Sequence, residues 1–237
     1  MRRESNPQKY WDGRILDWEA GRYEGRRTTS IGLGELLASS LSQPTRTRQM
    51  LSVELLAPFI AGRDVLELGC GTGRLARHLL DAGCLRYFGV DHSPVAIAHA
   101  RRRYAHSPVM ERIRFEVCTA AEIPTAGYDL VMSLGVLDWL SDEELRKLFR
   151  NQGSRHFLHS FSERRFSVLQ LGHRFCRAMD RALWPAVVRP RYLTADDLIK
   201  LIPISSGAQI AIYRDARLRF VAFLSSLPLL TLAGTSD

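Results

Sequence analysis

Val65-Leu66-Glu67-Leu68-Gly69-Cys70-Gly71-Thr72-Gly73 is a short apolar run that takes in one acid and then alternates three glycines with small residues. The run predicts a strand. Arg74 to Ala82, with Leu75, Leu79 and Leu80 on one stripe, predicts the helix behind it. Strand, tight turn and helix start together make a cradle. Glycine permits positive φ and lets a ligand approach the main chain, and the first helical N–H groups are unpaired donors. A pyrophosphate-binding turn wants Gly-x-Gly-x-x-Gly. Here the third glycine comes one residue early and Arg74 takes the sixth position. Glu67, just ahead of the glycines, repels phosphates and suits a cationic ammonium or sulfonium group. A nicotinamide dehydrogenase is disfavoured on both counts.

Downstream, Leu85 to Val90 predicts a second strand closed by Asp91. An acid at that strand end, roughly 20 residues past the glycines, is placed to accept both hydroxyls of a ribose. His92-Ser93-Pro94 also opens the next helix, with proline in its first turn. That helix runs to Tyr104 and ends on Arg101-Arg102-Arg103, a solvated basic end that complements the dipole. Ile113 to Val117 predicts a third strand, Tyr128 to Ser133 a fourth and His156 to Phe161 a fifth. Ser141 with the acids after it reads as a capped helix start. Thr194 caps a last helix, and Gln209–Tyr213 with Leu218–Leu224 predicts a closing antiparallel hairpin. The pattern is α/β: a doubly wound, mostly parallel seven-stranded sheet with a C-terminal antiparallel hairpin.

Glu-x-Gly-x-Gly-x-Gly after a strand resembles the first motif of class I S-adenosylmethionine-dependent methyltransferases, and the likeness covers about residues 60 to 224. It implies S-adenosyl-L-methionine as cofactor. Glu67 with Gly69, Cys70, Gly71 and Gly73 would hold the methionine end, and Asp91 with His92 the ribose side. Cys118-Thr119-Ala120-Ala121-Glu122-Ile123-Pro124 stands where relatives have Gly-Asp-Ala-x-x-x-Pro, so Thr119, Ala120, Ala121 and Ile123 would meet the adenine. Thr119 departs from the pattern, because a neutral hydroxyl replaces a carboxylate. Leu130-Val131 and Val136-Leu137-Asp138-Trp139-Leu140 resemble the family's fourth-strand region, which puts Ser133, Leu134, Asp138 and Trp139 at the transfer site. Asp138 and His159 are the candidate general bases for a hydroxyl acceptor.

Residues 1–59 read as an N-terminal helical cap or lid rich in Tyr10, Trp11, Ile15, Leu16, Trp18 and Tyr23. Relatives place such aromatics over the ligand, which makes Tyr10, Trp11 and Tyr23 lid candidates; ordinary core packing is the alternative. Leu33 to Leu41 predicts a helix ended by Pro44 and Thr45, with a second over Thr47 to Phe59. Residues 60–224 form the cofactor domain, with an Arg-rich helical insert at about 162–192, and 225–237 is a tail. The insert reads as an amphipathic helix over the sheet, as a cover recognising an anionic group, or as a helix resting on an anionic membrane surface.

The chain has 237 residues, 46% hydrophobic and 24% charged, with a formal charge of +8. The charge is carried by arginine, since lysine occurs only at Lys9, Lys147 and Lys200. Such a balance favours anionic partners. Cys70, Cys84, Cys118 and Cys176 form no Cys-x-x-Cys pair, so reduced thiols and no metal site are expected. No secretory signal is visible, and Phe220 to Ala233 is too short to span a bilayer and is broken by Pro228, so a cytoplasmic location is expected. Tyr10-Trp11-Asp12 and His159-Ser160-Phe161-Ser162-Glu163-Arg164-Arg165 resemble stretches of methyltransferases of polysaccharide and natural-product pathways, which implies O-methylation of an acidic or phosphorylated small molecule or glycan as the favoured reaction. RNA methylation suits the charge, but no Asn-Pro-Pro-Tyr-like sequence follows the fourth strand and no separate RNA-binding module is seen. A non-catalytic cofactor-binding partner protein is the third reading. The oligomeric state is not legible.

Overall fold

The computed structural model describes residues 7–20, 43–151, 153, 155–164, 190–203, 210–218 and 220–228. Its centre is β1 (Asp64–Leu68), whose four last residues are all buried. A continuous apolar run is what a strand covered on both faces requires. Around it stand β2 (Arg86–Asp91), β3 (Ile113–Val117), β4 (Leu130–Leu134) and β5 (His156–Ser162), all mutually parallel. The sheet is completed by β6 (Ala211–Arg214) and β7 (Val221–Ser225) in the order β3-β2-β1-β4-β5-β7-β6, with β7 antiparallel to both its neighbours.

Helices cover both faces. Val65 packs with α3 (Gln43–Ile60), α4 (Arg74–Asp81) and α5 (Pro94–Tyr104), through Leu56, Ile60, Leu79 and Ile97. Leu66 and Leu68 point the other way, toward Leu145 and Phe149 of α6 (Asp142–Arg150) and Leu198 of α7 (Ala195–Leu201). The alternation follows from the two-residue period of a strand. Each such fully buried leucine contributes about 2 kcal/mol of apolar burial. α6 starts at a complete capping box: Glu144 N–H donates to Ser141 Oγ at 3.2 Å, and Ser141 N–H donates to the Glu144 carboxylate at 2.7 Å.

Three boundaries differ from the sequence reading. α3 already begins at Gln43, so Pro44 and Thr45 fall in its first turn, where a missing N–H costs nothing, instead of breaking a helix. Tyr128 lies before β4, in a turn whose N–H donates to Thr125 O, and the Asp129 carboxylate accepts the N–H of Asp64 at 3.0 Å. Leu218 closes a short 3-10 turn, because Asp215 accepts the N–H groups of both Arg217 and Leu218; β7 therefore starts only at Val221. Before the sheet stand two short helices, α1 (Pro7–Asp12) and α2 (Ile15–Glu19). The expected helix at Leu33–Leu41, Tyr23, Cys176, residues 165–189 of the Arg-rich insert, Gln209 and the tail beyond Pro228 lie outside the described residues. Among the described residues no helix is long and apolar enough to cross a membrane, and no cluster of three His, Cys, Asp or Glu side chains forms a metal site.

Candidate active site

The C-terminal ends of β1, β2 and β4 meet at one edge of the sheet, where open α/β sheets bind ligands. The first crossover there is the glycine loop. Gly69, Gly71 and Gly73 have φ of 69°, 54° and 71°, a region that side chains other than glycine's rarely adopt. A Cβ on Gly73 would also stand 2.5 Å from the Phe115 ring, and one on Gly71 2.6 Å from Glu19 Oε1. The turn is thus fixed from both sides, by the sheet core and by the N-terminal helices.

Asp91 ends β2 and is tied to this loop. Its Oδ2 accepts the N–H of Gly71 and its Oδ1 the N–H of Ser93, both at 2.9 Å. Ser93 is the true cap of α5, accepting the N–H of Ala96 at 3.2 Å. Burial raises the Asp91 carboxyl above its ordinary value; the hydrogen bonds from Ser93 and Gly71 and the nearby His92 pull the other way. Glu67 is buried and accepts the Tyr87 hydroxyl at 2.5 Å. Burial first, and then repulsion from Asp91 and Glu19, push its carboxyl up to about 8 against the pull of the Tyr87 hydrogen bond. The Cys70 thiol between them is held well above the thiol range, by burial first and by Asp91 and Glu67 next.

A third carboxylate arrives from outside the loop. Glu19, at the end of α2, accepts the Thr72 N–H at 3.0 Å, the Thr72 hydroxyl at 2.5 Å and Arg74 Nε at 2.9 Å. Asp12 of α1 meets the Ser93 hydroxyl at 2.5 Å. These contacts dock α1 and α2 over the loop. Trp11 packs edge-on against Trp18 (5.6 Å between centroids) and Trp139 (5.2 Å), giving the opening an aromatic roof.

Beneath the roof lies a cavity of about 520 Å³. Of the residues that the sequence singled out, Glu67, Gly69, Cys70, Gly71, Asp91, His92, Thr119, Ala120, Leu134 and Asp138 line it, together with the roof residues Trp11 and Trp18. Gly73, Ala121, Ile123, Ser133, His159 and the lid candidate Tyr10 do not. Gly73 is packed against Phe115, and Ala121 is buried. His159 is wholly buried beside Phe157, with Nδ1 2.9 Å from the Ser133 hydroxyl, and burial alone pushes its pKa down to about 3. Asp138 is on the wall, yet its two oxygens accept the main-chain N–H and the hydroxyl of Ser162, each at 2.7 Å. The Thr119 hydroxyl donates to Glu122 at 2.7 Å, which leaves its oxygen free as an acceptor. Glu19, Arg48 and Gly135 escaped the sequence reading. Glu19 and Arg48 sit in segments without a motif; a glycine after β4 (φ 78°), with Arg48 packed on it, was the one available signal.

Residues 65–154 match the family model described as a methyltransferase domain. Among curated proteins, the chain is 36% identical over 85 residues to an EEF1A lysine methyltransferase 4 of Mus musculus, covering 35% of this chain and 33% of that protein. It is 32% identical over 111 residues to a probable S-adenosylmethionine-dependent methyltransferase of Mycobacterium tuberculosis, covering 45% and 39%. The chain thus spans little more than a third of the length of these relatives. Among solved structures it is similar to a magnesium protoporphyrin IX methyltransferase of Synechocystis with bound S-adenosylhomocysteine. The TM-score is 0.64 at 18% identity, over 92% of this chain and 96% of that one, a likeness of fold.

Proposed function

We propose that this chain, which carries a class I S-adenosylmethionine-dependent methyltransferase domain, binds S-adenosylmethionine and directs methyl transfer to a hydroxyl on an anionic small molecule or glycan. The observation that carries the reading is the acid-lined glycine loop, with Gly71 donating to Asp91 and Glu67 buried without a cationic partner among the described residues. The cofactor, when bound, supplies an electrophilic methyl on a sulfonium.

The residues present fit it. Gly69 and Gly71 bring main chain without side chains to the cavity wall, while Gly73 lets the turn pack on Phe115. Each Asp91 oxygen has accepted one N–H and keeps lone-pair capacity for a ribose hydroxyl. Glu67 would ionise beside a bound cation and not beside a pyrophosphate, so the loop favours a cation. Thr119 and the main chain of Ala120 would meet the adenine edge. Trp11 and Trp18 keep water from the reacting end, so the chain's contribution is mainly binding, alignment and desolvation. Asp138 is the proton acceptor that this reading favours, because it lines the cavity with both oxygens oriented by Ser162. His159 would act through Ser133, holding the end of β4 in place.

An RNA acceptor is less supported, since the cavity wall holds five acids, Glu19, Glu67, Asp91, Asp138 and Glu144, against Arg48 and Arg74. Calorimetric titration with S-adenosylmethionine, S-adenosylhomocysteine and NADH tests the proposal. Micromolar binding of the two sulfur ligands, lost in Asp91→Ala, is expected; failure of both to bind the folded protein overturns it.

A further inference from the structure

One face of α3 borders the cavity beside the glycine loop. Thr45, Arg48 and Gln49, at i, i+3 and i+4 of that helix, all line the cavity, and none of them is an acid. Arg48 packs on Gly135, just past β4, where a Cβ would stand 2.7 Å from its Nη1. The next residue, Val136, lies against Gly69, so that a Cβ on Gly69 would run into Val136 Cγ2. Arg48 therefore stands beside the first glycine of the loop. Its half-buried side chain makes no hydrogen bond or ion pair with any described residue. Its Nε is closed off from solvent without a partner, which leaves Nη1 and Nη2 as the donors for a ligand. The other arginine on the wall, Arg74, is paired with Glu19 at 2.9 Å.

We infer that Arg48 receives the carboxylate at the methionine end of the cofactor, and so selects ligands that carry the intact amino acid. The inference rests on the methyl-transfer reading and deepens it. S-adenosylmethionine brings two cations, its sulfonium and its ammonium, and one anion. Glu67 suits either cation, but the carboxylate needs the opposite partner. Glu19, Asp91, Asp138 and Glu144 also stand on the wall, and a carboxylate set among them would be repelled. Among the described residues of the wall, Arg48 is the arginine that no acid has claimed. A guanidinium holds a carboxylate in two N–H···O bonds. The Thr45 hydroxyl and the Gln49 amide, on the same helix face, belong to donor-bearing side chains. The strand order gives a second reason. β2 and β4 flank β1; Asp91 ends β2, and Arg48 packs on the residue just past β4. A ribose on Asp91 and a carboxylate on Arg48 thus fall on the two flanks of the glycine loop, with the rest of the ligand laid across it.

The test is calorimetric titration with S-adenosylhomocysteine, S-adenosyl-3-thiopropylamine and methylthioadenosine. The propylamine keeps the ammonium and lacks the carboxylate; methylthioadenosine lacks both. The parent protein is expected to bind S-adenosylhomocysteine about tenfold or more tighter than the propylamine, as a charge-assisted pair requires. Arg48→Gln should bring these two ligands to equal affinity, and Arg48→Lys should keep part of the preference. Neither should move the affinity for methylthioadenosine, which also reports that the variants are folded. No preference in the parent protein, or a preference that survives Arg48→Gln, overturns the inference. So does a loss shared equally by all three ligands, because Arg48 would then only support the loop. Binding of all three with equal affinity leaves the nucleoside site standing and removes the role of Arg48 alone. Failure of all three to bind the folded parent protein overturns the methyl-transfer reading and this inference together.

Discussion

The main-chain N–H of Gly71 donates to Asp91 Oδ2 at 2.9 Å across the gap between the first two strands. The glycine loop and the acid at the end of β2 are therefore one unit: moving either disturbs the other. Asp91→Asn should leave the fold intact, because an amide oxygen can still accept one of the two N–H groups. Cofactor affinity should fall about 10- to 100-fold, the cost of about 1–3 kcal/mol for a lost charged acceptor. Calorimetry on the folded variant reads this directly.

Gly73 faces the sheet instead of the cavity. Gly73→Ala should destabilise the protein by about 1–3 kcal/mol, combining the positive φ with the close approach to Phe115. Chemical denaturation gives the value. Cofactor affinity should fall with it, because relieving the clash moves the loop.

Glu19 is the counterweight on the other side of the loop. Glu19→Gln keeps the shape but removes the charge that Arg74 and the Thr72 hydroxyl share. A loss of about 2 kcal/mol is expected for such charged hydrogen bonds. Hydrogen exchange should show lost protection confined to α1 and α2, with the sheet unchanged.

Two buried groups give the stability a pH dependence of opposite sign. Glu67, raised to about 8 when folded, binds its proton more tightly in the native state. Its contribution is whole below the ordinary carboxylate value and is lost as pH rises toward 8. Glu67→Gln should flatten that decline in a series of thermal melts. His159, lowered to about 3, is neutral in the native state, so its contribution is lost as pH falls from about 6.5 toward 3. Binding of a cationic ligand beside Glu67 should also release protons below pH 8, read as a dependence of the calorimetric heat on buffer ionisation enthalpy.

The strand–loop–helix unit at 64–81, the acid at 91 and the closing hairpin were legible because each is written in contiguous residues: an apolar run, glycines and a cap. What stayed hidden is contact between distant segments. Nothing near Glu19 announces that it will accept from Thr72, 53 residues away. Nor does the sequence around Asp138 say that Ser162 will occupy both its oxygens. The buried position of His159 was equally out of reach, since a strand histidine reads the same on either face; its neighbours Phe157 and Phe149 decide the matter only once β5 is packed.

The place of β7 bears on how the chain is made. It fills the slot beside β5, where Phe157 N–H donates to the Ser226 hydroxyl across 69 residues. As the nascent chain leaves the ribosome, β5 must stand with one bare edge until β7 emerges. Its Phe157, Leu158 and Phe161 are meanwhile available to any passing strand. Chaperone dependence and aggregation of C-terminal truncations should therefore track that single strand, even though it supplies only Val221 to the cavity wall.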